Sequence, residues 1–545
     1  MTNANLLITN GRILTMNPDM STAEAIAVGR DGRIVAIGRQ SDVQNLADAE
    51  THTINLNGRT LLPGFFDCHL HILWLGINLG HVNLASPPVK NADDIIALLR
   101  QRRTEQPNLT CLQGNRYDQN KLPGGTHITR HDLDKVASDI PARVVHTSGH
   151  AAVVNSRALE LLGITKETAN PVGGEIVRDA NGEPNGVLLE TASWQDLDKI
   201  LPEVTQSDAI TALGQANGYL LERGITSATD ANTMPADIPA YGLASAQNGL
   251  TVRTNLMVSW AEIVKQAGQT LPRPQDFSLS AYATNGHRLH VGQAKLFSDG
   301  AITTRTCWLS EPFAGMPDNR GIPIHEAEEL RDLIVKAHTT GWQIATHAIG
   351  DKAIDTVLAC YAEAQRVHSR YRPDHRIEHA MLLNPNLITR MRRQNIWSVG
   401  QPEFISGLGD AYFDALGEER AFRLSPYATL DAQNVAQAFS SDCPVVPGAP
   451  LDGIRAAIER KTPKGRILNP LECVSPETAV YNYTAAPAYA TRTEQDRGTL
   501  EIGKWADFVL LSADPISTPA DEWERLQVEA TFVGGECLYG AEQLD

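Results

Sequence analysis

Five apolar segments of this 545-residue chain end in the same way, with side chains that can bind a metal ion or carry a proton. The first runs from Leu61 to Phe66 and continues into Asp67-Cys-His69-Leu-His71. Two histidines one residue apart on a strand share a face, so both imidazoles can reach one cation. The other four segments contain, at or near their ends, Lys295, His347, His379 and Asp442. These residues can act together only if the fold gathers the strand ends.

The spacing of these segments predicts a barrel. His347 and His379 lie 32 residues apart, about one strand-plus-helix unit, and Asp442 follows 63 residues later, about two such units. In a parallel barrel the carboxyl ends of all strands meet at one mouth. We therefore predict an α/β chain with a (β/α)8 barrel over residues 61–484. Its eight strands are predicted near residues 61–67, 225–229, 252–257, 291–297, 343–347, 375–379, 396–400 and 436–441.

A long gap separates the first two predicted barrel strands. A loop of this length needs its own structure, so residues 75–215 are predicted to form an α+β insertion over the barrel mouth. Helices are expected near Asp93–Arg102 and Asn155–Leu162, and Arg143-Val-Val-His146 is assigned to the insertion. We find no internal repeat and no low-complexity segment.

The motifs at these strand ends are similar to those of the amidohydrolase superfamily. The likeness runs from Leu6 to Gly535 and is weakest between Trp74 and Glu222. The branch that includes N-substituted formamide deformylases is indicated by three phrases: His347-Ala-Ile-Gly-Asp351, Arg376-Ile-Glu-His379 and Ser441-Asp-Cys-Pro444.

The resemblance implies a role for each strand-end residue. His69 and His71 resemble the first metal pair, His347 and His379 the second pair, and Lys295 the carboxylated lysine. Asp442 resembles the carboxylate that binds metal and handles the proton. One or two divalent ions per chain are implied, with zinc as the first choice, together with carbon dioxide held as a carbamate on Lys295. A homodimer is also implied.

The chemistry explains why these residue types are needed. A carbamate on Lys295 is an anion whose two oxygens can bridge two cations, which offsets part of the metal charge. A bound metal lowers the pKa of water from about 15.7 toward 7, so a metal-bound hydroxide can act as the nucleophile. Asp442 would accept the proton of that nucleophile and return it to the leaving amine.

Each residue also has a structural interpretation. His69 and His71 could be hydrogen-bonded histidines at a strand end, and Lys295 could reach solvent past its strand. Six residues of the right types, in the family's order, favour the metal site. The metal count stays open, since some relatives use one metal and no modified lysine.

The resemblance pairs the two ends of the chain, residues 1–60 and 485–545, into one small β-sandwich beside the barrel. Both pieces contain short strands broken by turns, such as Asn10-Gly11 and Asp31-Gly32.

Residues at the barrel mouth are candidates for substrate contact. His150 is expected to be a neutral donor to the substrate carbonyl oxygen, or else a structural histidine bonded to backbone. Arg116 and Tyr117 could hold an anionic or aromatic substrate, or be a solvated charge and a packed ring. Trp74 and Trp308 could line an apolar wall, or pack in the core.

These features predict an enzyme that hydrolyses a C–N bond of an amide, N-formyl amine or N-acyl amine. A mononuclear deaminase is the alternative, but deaminases of this superfamily commonly lack the lysine and carry a glutamate shortly after a strand-end histidine. Hydrolysis of a lactone, ester or phosphotriester by the same site also stays open. A metal-free relative acting as a binding or assembly protein would lack metal-dependent turnover.

The composition of the chain limits the classes of binding partner and the compartment that we expect. The formal charge of −17 and the pI near 5.4 disfavour nucleic acid and anionic membrane surfaces as partners, which leaves a small-molecule substrate. The seven cysteines are odd in number and form no Cys-x-x-Cys pair, which is typical of a reducing compartment. Residues Met1 to Asn5 do not have the pattern of a signal peptide, so a cytoplasmic location is predicted.

Overall fold

The computed structural model describes residues 4–247, 249–268, 270–277 and 288–544. The first three residues, on which part of the signal-peptide prediction rests, lie outside this range. The described residues form 24 strands: β1 Leu6–Thr9, β2 Arg12–Leu14, β3 Thr22–Ala23, β4 Ala25–Val28, β5 Ile34–Gly38, β6 His52–Asn55, β7 Thr60–Pro63, β8 Phe65–Leu70, β9 Val82–Asn83, β10 Leu112–Tyr117, β11 Ala142–His146, β12 Ala151–Val154, β13 Gly174–Arg178, β14 Pro184–Glu190, β15 Ile225–Thr233, β16 Arg253–Ser259, β17 Leu289–Phe297, β18 Gln343–Ala348, β19 Arg376–His379, β20 Trp397–Gly400, β21 Gln437–Phe439, β22 Phe508–Leu511, β23 Val528–Val533 and β24 Glu536–Tyr539.

The same residues form 18 α-helices: α1 Gln40–Val43, α2 Ile72–Leu79, α3 Ala92–Glu105, α4 Arg130–Asp134, α5 Ser156–Leu162, α6 Thr191–Trp194, α7 Gln206–Leu221, α8 Ile238–Ala246, α9 Trp260–Gln266, α10 Ala327–Thr339, α11 Asp351–Val367, α12 Pro385–Gln394, α13 Glu403–Leu416, α14 Glu418–Ala421, α15 Tyr427–Ala432, α16 Pro450–Glu459, α17 Pro476–Asn482 and α18 Ala485–Ala490. Among them, no helix is both long and apolar enough to cross a membrane.

Eight parallel strands form the barrel, in the order β8, β15, β16, β17, β18, β19, β20 and β21. Two backbone hydrogen bonds join the last strand to the first at their carboxyl ends. The amide of Asp442 donates to the His69 carbonyl (2.8 Å), and the amide of His71 donates to the Cys443 carbonyl (2.8 Å). The predicted α/β barrel is confirmed, and its closure brings the first and last proposed metal ligands together.

The first barrel strand begins later than the sequence predicts. Leu61 and Leu62 belong to β7, which pairs with β2 and β22, and the barrel strand β8 starts at Phe65. Gly64 separates the two strands where a side chain has no room, since a Cβ there would lie 2.1 Å from Thr226. One continuous apolar run thus serves two sheets, and hydrophobicity alone does not mark such a boundary.

Strands from both chain ends share one sheet, in the order β24, β23, β22, β7, β2 and β3, and it packs on a second sheet of β5, β4, β1 and β6. Leu6, Ile13, Phe508 and Phe532 lie in the apolar cluster of this part. Helix α18, which the sequence assigned to the sandwich, instead packs its alanines against Phe66 and Cys68 of the barrel.

A third sheet lies between the first two barrel strands in sequence, in the order β13, β14, β12, β11, β10 and β9. It includes Arg143-Val-Val-His146 as β11, away from the barrel sheet. Its loops contact the mouth, because Thr147 Oγ1 donates to the Val445 carbonyl (2.7 Å) and Gln119 Nε2 donates to the Thr303 carbonyl (3.1 Å). The segment between β8 and β15 therefore covers the carboxyl ends of the barrel strands.

Candidate metal centre and active site

The first proposed metal ligands meet at the end of β8. His69 Nε2 and His71 Nε2 lie 3.4 and 3.1 Å from Asp442 Oδ1, and one ligand atom from each residue lies within 4.8 Å of the others. Burial acts to raise the pKa of Asp442, but the two adjacent imidazoles outweigh it and hold that pKa well below its usual range. Two imidazoles and one carboxylate are a suitable ligand set for a divalent transition metal.

The second proposed pair lies directly beside the first. The ring centroids of His347 and His379 are 4.5 Å apart, and that of His379 lies 5.0 Å from His69. Burial lowers the pKa of His379 to about 3 and that of His347 well below its usual range. Both rings are therefore neutral, as a metal ligand must be.

Protein oxygens fix the proton on three of the four rings. His69 Nδ1 donates to Glu378 Oε2, His347 Nε2 to the Gly300 carbonyl (3.2 Å), and His379 Nδ1 to Gln401 Oε1 (2.7 Å). These oxygens accept, so the other nitrogen of each neutral ring carries a lone pair. Histidine ligands of metals commonly have such oxygen partners. The residues present fit a metal ion.

Lys295 is a buried cation beside the aromatic ring of Phe297. Its side chain is only 2% exposed, and Nζ has no hydrogen-bonding partner in the part of the chain that the structure describes. Burial lowers its pKa to about 8, and Nζ lies 4.7 Å from the centre of the Phe297 ring. A lowered pKa supplies more of the neutral amine, which is the form that reacts with carbon dioxide. The environment of Lys295 fits a carbamate.

Two charged residues behind His69 were given no role by sequence reasoning. Arg376 Nε and Nη2 contact the two carboxylate oxygens of Glu378 at 2.7 and 2.8 Å, and Arg376 Nη2 also donates to the Cys68 carbonyl (3.0 Å). The pKa of Glu378 is strongly lowered, since Arg376 and His69 outweigh the effect of burial. Both residues stand in the Arg376-Ile-Glu-His379 motif, and their i, i+2 spacing on one strand was an available signal.

Two of the proposed metal ligands have a left-handed backbone conformation. His379 has φ of 72° and Asp442 has φ of 60°, values that non-glycine residues rarely adopt. Strict alternation along β19 would place Glu378 and His379 on opposite faces. The turned backbone at His379 lets both side chains serve the same site.

His150 reaches the mouth from the third sheet and pairs with Glu190. Its Nδ1 lies 2.6 Å from Glu190 Oε2, and its ring centroid lies 5.0 Å from that of His347. Burial acts to lower the pKa of His150, but Glu190 raises it above its ordinary value. The expected neutral donor needs correction, because a carboxylate at Nδ1 keeps the proton there. A neutral ring would then present Nε2 as an acceptor, and a donor at Nε2 requires a second proton.

The four predicted substrate-binding residues lie in different settings. Tyr117 is fully buried in the core of the third sheet, where its hydroxyl bonds to His127 Nδ1 (3.0 Å) and the Ile128 amide (3.1 Å). Arg116 is half-buried with φ of 62°. Trp74 lies edge-on to His71 at 5.5 Å, and Trp308 faces Lys352 at 5.9 Å. Of these, Trp74 is the one in ring contact with a proposed metal ligand.

A cavity opens beside the histidines. Both apolar and polar side chains line it. Its lining consists of Ser148, His150, Ala301, Ile302, Thr303, His347, Ile349, His379, Met381, Phe404, Leu408, Tyr412, Asp442 and Val445.

A parallel barrel with four histidines, a lysine and a carboxylate at its mouth is typical of metal-dependent hydrolases. The amidohydrolase family matches residues 52–539, so the chain belongs to the amidohydrolase family. This result confirms the family predicted from the strand-end motifs.

Individual relatives agree with this assignment. The YtcJ amidohydrolase of Bacillus subtilis (strain 168) is 31% identical, over 97% of this chain and 98% of its own. The N-substituted formamide deformylase of Arthrobacter pascens is 28% identical, over 98% of each chain. A crystal structure of an uncharacterized metal-dependent hydrolase from Pyrococcus horikoshii OT3 superimposes with a TM-score of 0.74 at 26% identity, over 95% of this chain and 99% of that one.

Proposed function

We propose that this protein hydrolyses the C–N bond of an N-formyl or other N-acyl amine. The observation that carries the proposal is Lys295, a buried amine without a hydrogen-bond partner among the described residues, beside a cluster of neutral histidines. A carbamate there would suit two-metal amide hydrolysis better than ring deamination. The deformylase from Arthrobacter pascens, similar over nearly the whole chain, supports the same choice.

His69, His71, His347, His379, Asp442 and the carbamate of Lys295 would hold the metal, with one or two ions per chain. A bound divalent ion supplies Lewis acidity, which lowers the pKa of water from about 15.7 toward 7 and polarises a carbonyl. Zinc is proposed because mixed imidazole and carboxylate ligands suit it. Carbamate formation joins the Lys295 nitrogen to the carbon of carbon dioxide and releases one proton.

Asp442 is the proposed proton carrier. Its carboxylate is ionised, since the adjacent His69 and His71 outweigh burial and keep its pKa low. It lines the cavity, so it can take a proton from the attacking water and give it to the nitrogen of the leaving amine. Amine departure needs this proton, because an amide anion is a poor leaving group.

The rest of the cavity selects and orients the substrate. His150 is proposed to donate to the substrate carbonyl oxygen through a second proton on Nε2, where negative charge develops during attack. Burial acts against this doubly protonated ring, but Glu190 raises the pKa of His150 and favours it. Ile302, Met381, Phe404 and Leu408 contribute apolar surface to the cavity lining. We therefore expect an apolar substituent on the amide nitrogen and a small acyl group.

Two further assignments, a cytoplasmic location and a homodimer, are proposed. All seven cysteines are free in the structure, which supports a reducing compartment and hence a cytoplasmic location. Family resemblance supports a homodimer.

Metal content per chain tests the proposal. Wild type and Lys295→Ala are purified without chelator, alongside Lys352→Ala, a half-exposed lysine on α11. About two equivalents in wild type and Lys352→Ala, falling to one or fewer in Lys295→Ala, is the expected result. N-Formyl and N-acyl amines are then assayed with each protein. One equivalent that is unaffected by Lys295→Ala would contradict the bridging carbamate and favour deamination.

A further inference from the structure

We propose that Glu190 is a positioning residue of the site, whose carboxylate fixes the ring of His150 so that Nε2 faces the substrate. The catalytic consequence rests on the proposed hydrolase function. The orientation and the protonated nitrogen of the ring are properties of the protein alone.

Glu190 and His150 face each other across two antiparallel strands. Leu189 of β14 pairs with Ala151 of β12, and the Glu190 amide donates to the His150 carbonyl (2.9 Å) one step further along. Residues opposite each other in an antiparallel pair place their side chains on the same face. The side chains meet there, with His150 Nδ1 at 2.6 Å from Glu190 Oε2. The pairing of β12 with β14 in the third sheet thus places both residues together at the barrel mouth.

The Glu190 carboxylate is buried and incompletely paired. Its side chain is 0% exposed, and its second oxygen, Oε1, has no hydrogen-bond partner within the described ranges. That oxygen packs on Gly300, where a Cβ would lie only 2.1 Å away. The Gly300 carbonyl in turn accepts from His347 Nε2 (3.2 Å). A buried carboxylate with so few partners is costly to fold, and such groups are characteristic of functional sites.

The backbone at Glu190 is also unusual. Its φ of 49° and ψ of −129° turn the chain from β14 into α6. The turn brings Trp194 onto the His150 ring at a centroid separation of 5.6 Å, and Trp194 Nε1 donates to the Gly149 carbonyl (2.9 Å). The imidazole is held at its Nδ1 edge by Glu190 and contacted by Trp194.

The chemistry of this contact determines which nitrogen is available. A carboxylate oxygen accepts hydrogen bonds, so the His150 proton shared with Glu190 stays on Nδ1. Nε2 lies on the other side of the ring, and His150 lines the cavity. Without Glu190 the proton can move to Nε2 and the ring can rotate. Glu190 therefore determines how His150 meets a substrate without touching the substrate itself.

The first test measures the imidazole directly. ¹⁵N chemical shifts of histidine side chains are recorded for wild type and Glu190→Ala, with His150→Gln to assign the signal. We expect a protonated Nδ1 in wild type and movement toward an Nε2-protonated tautomer in Glu190→Ala. A wild-type His150 with an unprotonated Nδ1 would overturn the proposal, whether or not any substrate is found.

The second test is a double-mutant cycle on the turnover of an N-acyl amine. Loss of an orienting partner behind a functional imidazole typically costs about 10–100-fold, so Glu190→Ala should lower kcat by that factor with a smaller change in KM. The same change in the His150→Gln background should have no further effect, because Glu190 acts through His150. Glu190→Gln, which keeps an acceptor oxygen, should recover part of the activity.

Controls separate this role from a general effect on folding. Glu175→Ala removes an exposed carboxylate from β13 of the same sheet and should leave kcat unchanged. Metal content should be the same in wild type and all Glu190 variants. Equal losses from Glu190→Ala in both backgrounds would refute the positioning role. No turnover of N-acyl amines by wild type would instead contradict the proposed function, and the NMR result would still decide the role of Glu190.

Discussion

Two groups of histidines lie at opposite ends of the barrel strands, and they differ in how their nitrogens are used. At the amino end, His375 Nδ1 accepts from the Ile344 amide (3.1 Å), its Nε2 bonds to His338 Nδ1 (2.8 Å), and His338 Nε2 donates to the His368 carbonyl (2.6 Å). Every nitrogen of these two rings is paired. At the mouth, each of three rings donates from one nitrogen to a protein oxygen, and its other nitrogen has no hydrogen-bond partner among the described residues.

The hydrogen-bond partners distinguish histidines that stabilise the fold from histidines suited to a functional site. A buried imidazole with both nitrogens paired has its polar groups satisfied and acts as part of the core. Rings packed 4.5–5.0 Å apart, each with one nitrogen bonded to a protein oxygen, are suited to a cation. Burial and residue type are the same at both ends, so the partners of each nitrogen are what distinguish them.

Removal of a mouth histidine should have the largest effect. We expect His69→Ala to lower kcat/KM for an N-acyl amine by more than about 10³-fold, because a metal-activated water reacts far more readily than free water. The exposed His52→Ala is the control and should keep full activity. Steady-state kinetics with metal analysis measure both. Substantial activity in His69→Ala would place the reacting centre elsewhere.

Loss of the group behind His69 should have an intermediate effect. Glu378→Gln keeps the size of the side chain but removes the charge that holds the His69 proton on Nδ1. Changes of this kind typically weaken metal binding by about 10–100-fold. Metal dissociation is followed by competition with a chelator, with Glu363→Gln, at a partly exposed residue on α11, as control. Unchanged affinity would mean that Glu378 serves only to neutralise the buried Arg376.

The paired histidines should affect stability and its pH dependence rather than metal binding. Burial, with smaller contributions from His338, Arg370 and Arg492, lowers the pKa of His375 well below its usual 6.5. The unfolded chain then binds more protons, so the free energy of unfolding falls as pH drops below about 6.5 and continues to fall until the folded-state pKa is reached. One such group contributes a slope of about 1.4 kcal/mol per pH unit.

Denaturant unfolding of wild type and His375→Gln between pH 5 and 8 measures this slope. We expect a shallower dependence in the variant at unchanged metal content. An identical pH dependence would show that His375 is not the group that titrates on unfolding.

The strands that end in ligands were the most predictable part of the fold. Lys295, His347 and His379 each follow or end a short apolar run bounded by turns, and such runs are legible from sequence. The boundary between β7 and β8 was not predictable, because Leu61 to Phe66 is apolar throughout although it serves two sheets. The partner of His150 was also missed, because Glu190 is 40 residues away and becomes its neighbour only through the pairing of β12 with β14.

The sequence by itself determined the family, the barrel and the residue types at its mouth, because strand periodicity and short motifs are local properties of the chain. Only the tertiary structure decided which nitrogen of each histidine is free, why Lys295 has a low pKa, and that Tyr117 packs inside the third sheet. These properties depend on burial and on hydrogen-bond partners remote in sequence. Barrel closure between His69 and Asp442 shows the reason, since it places residues from opposite ends of the barrel sequence in direct contact.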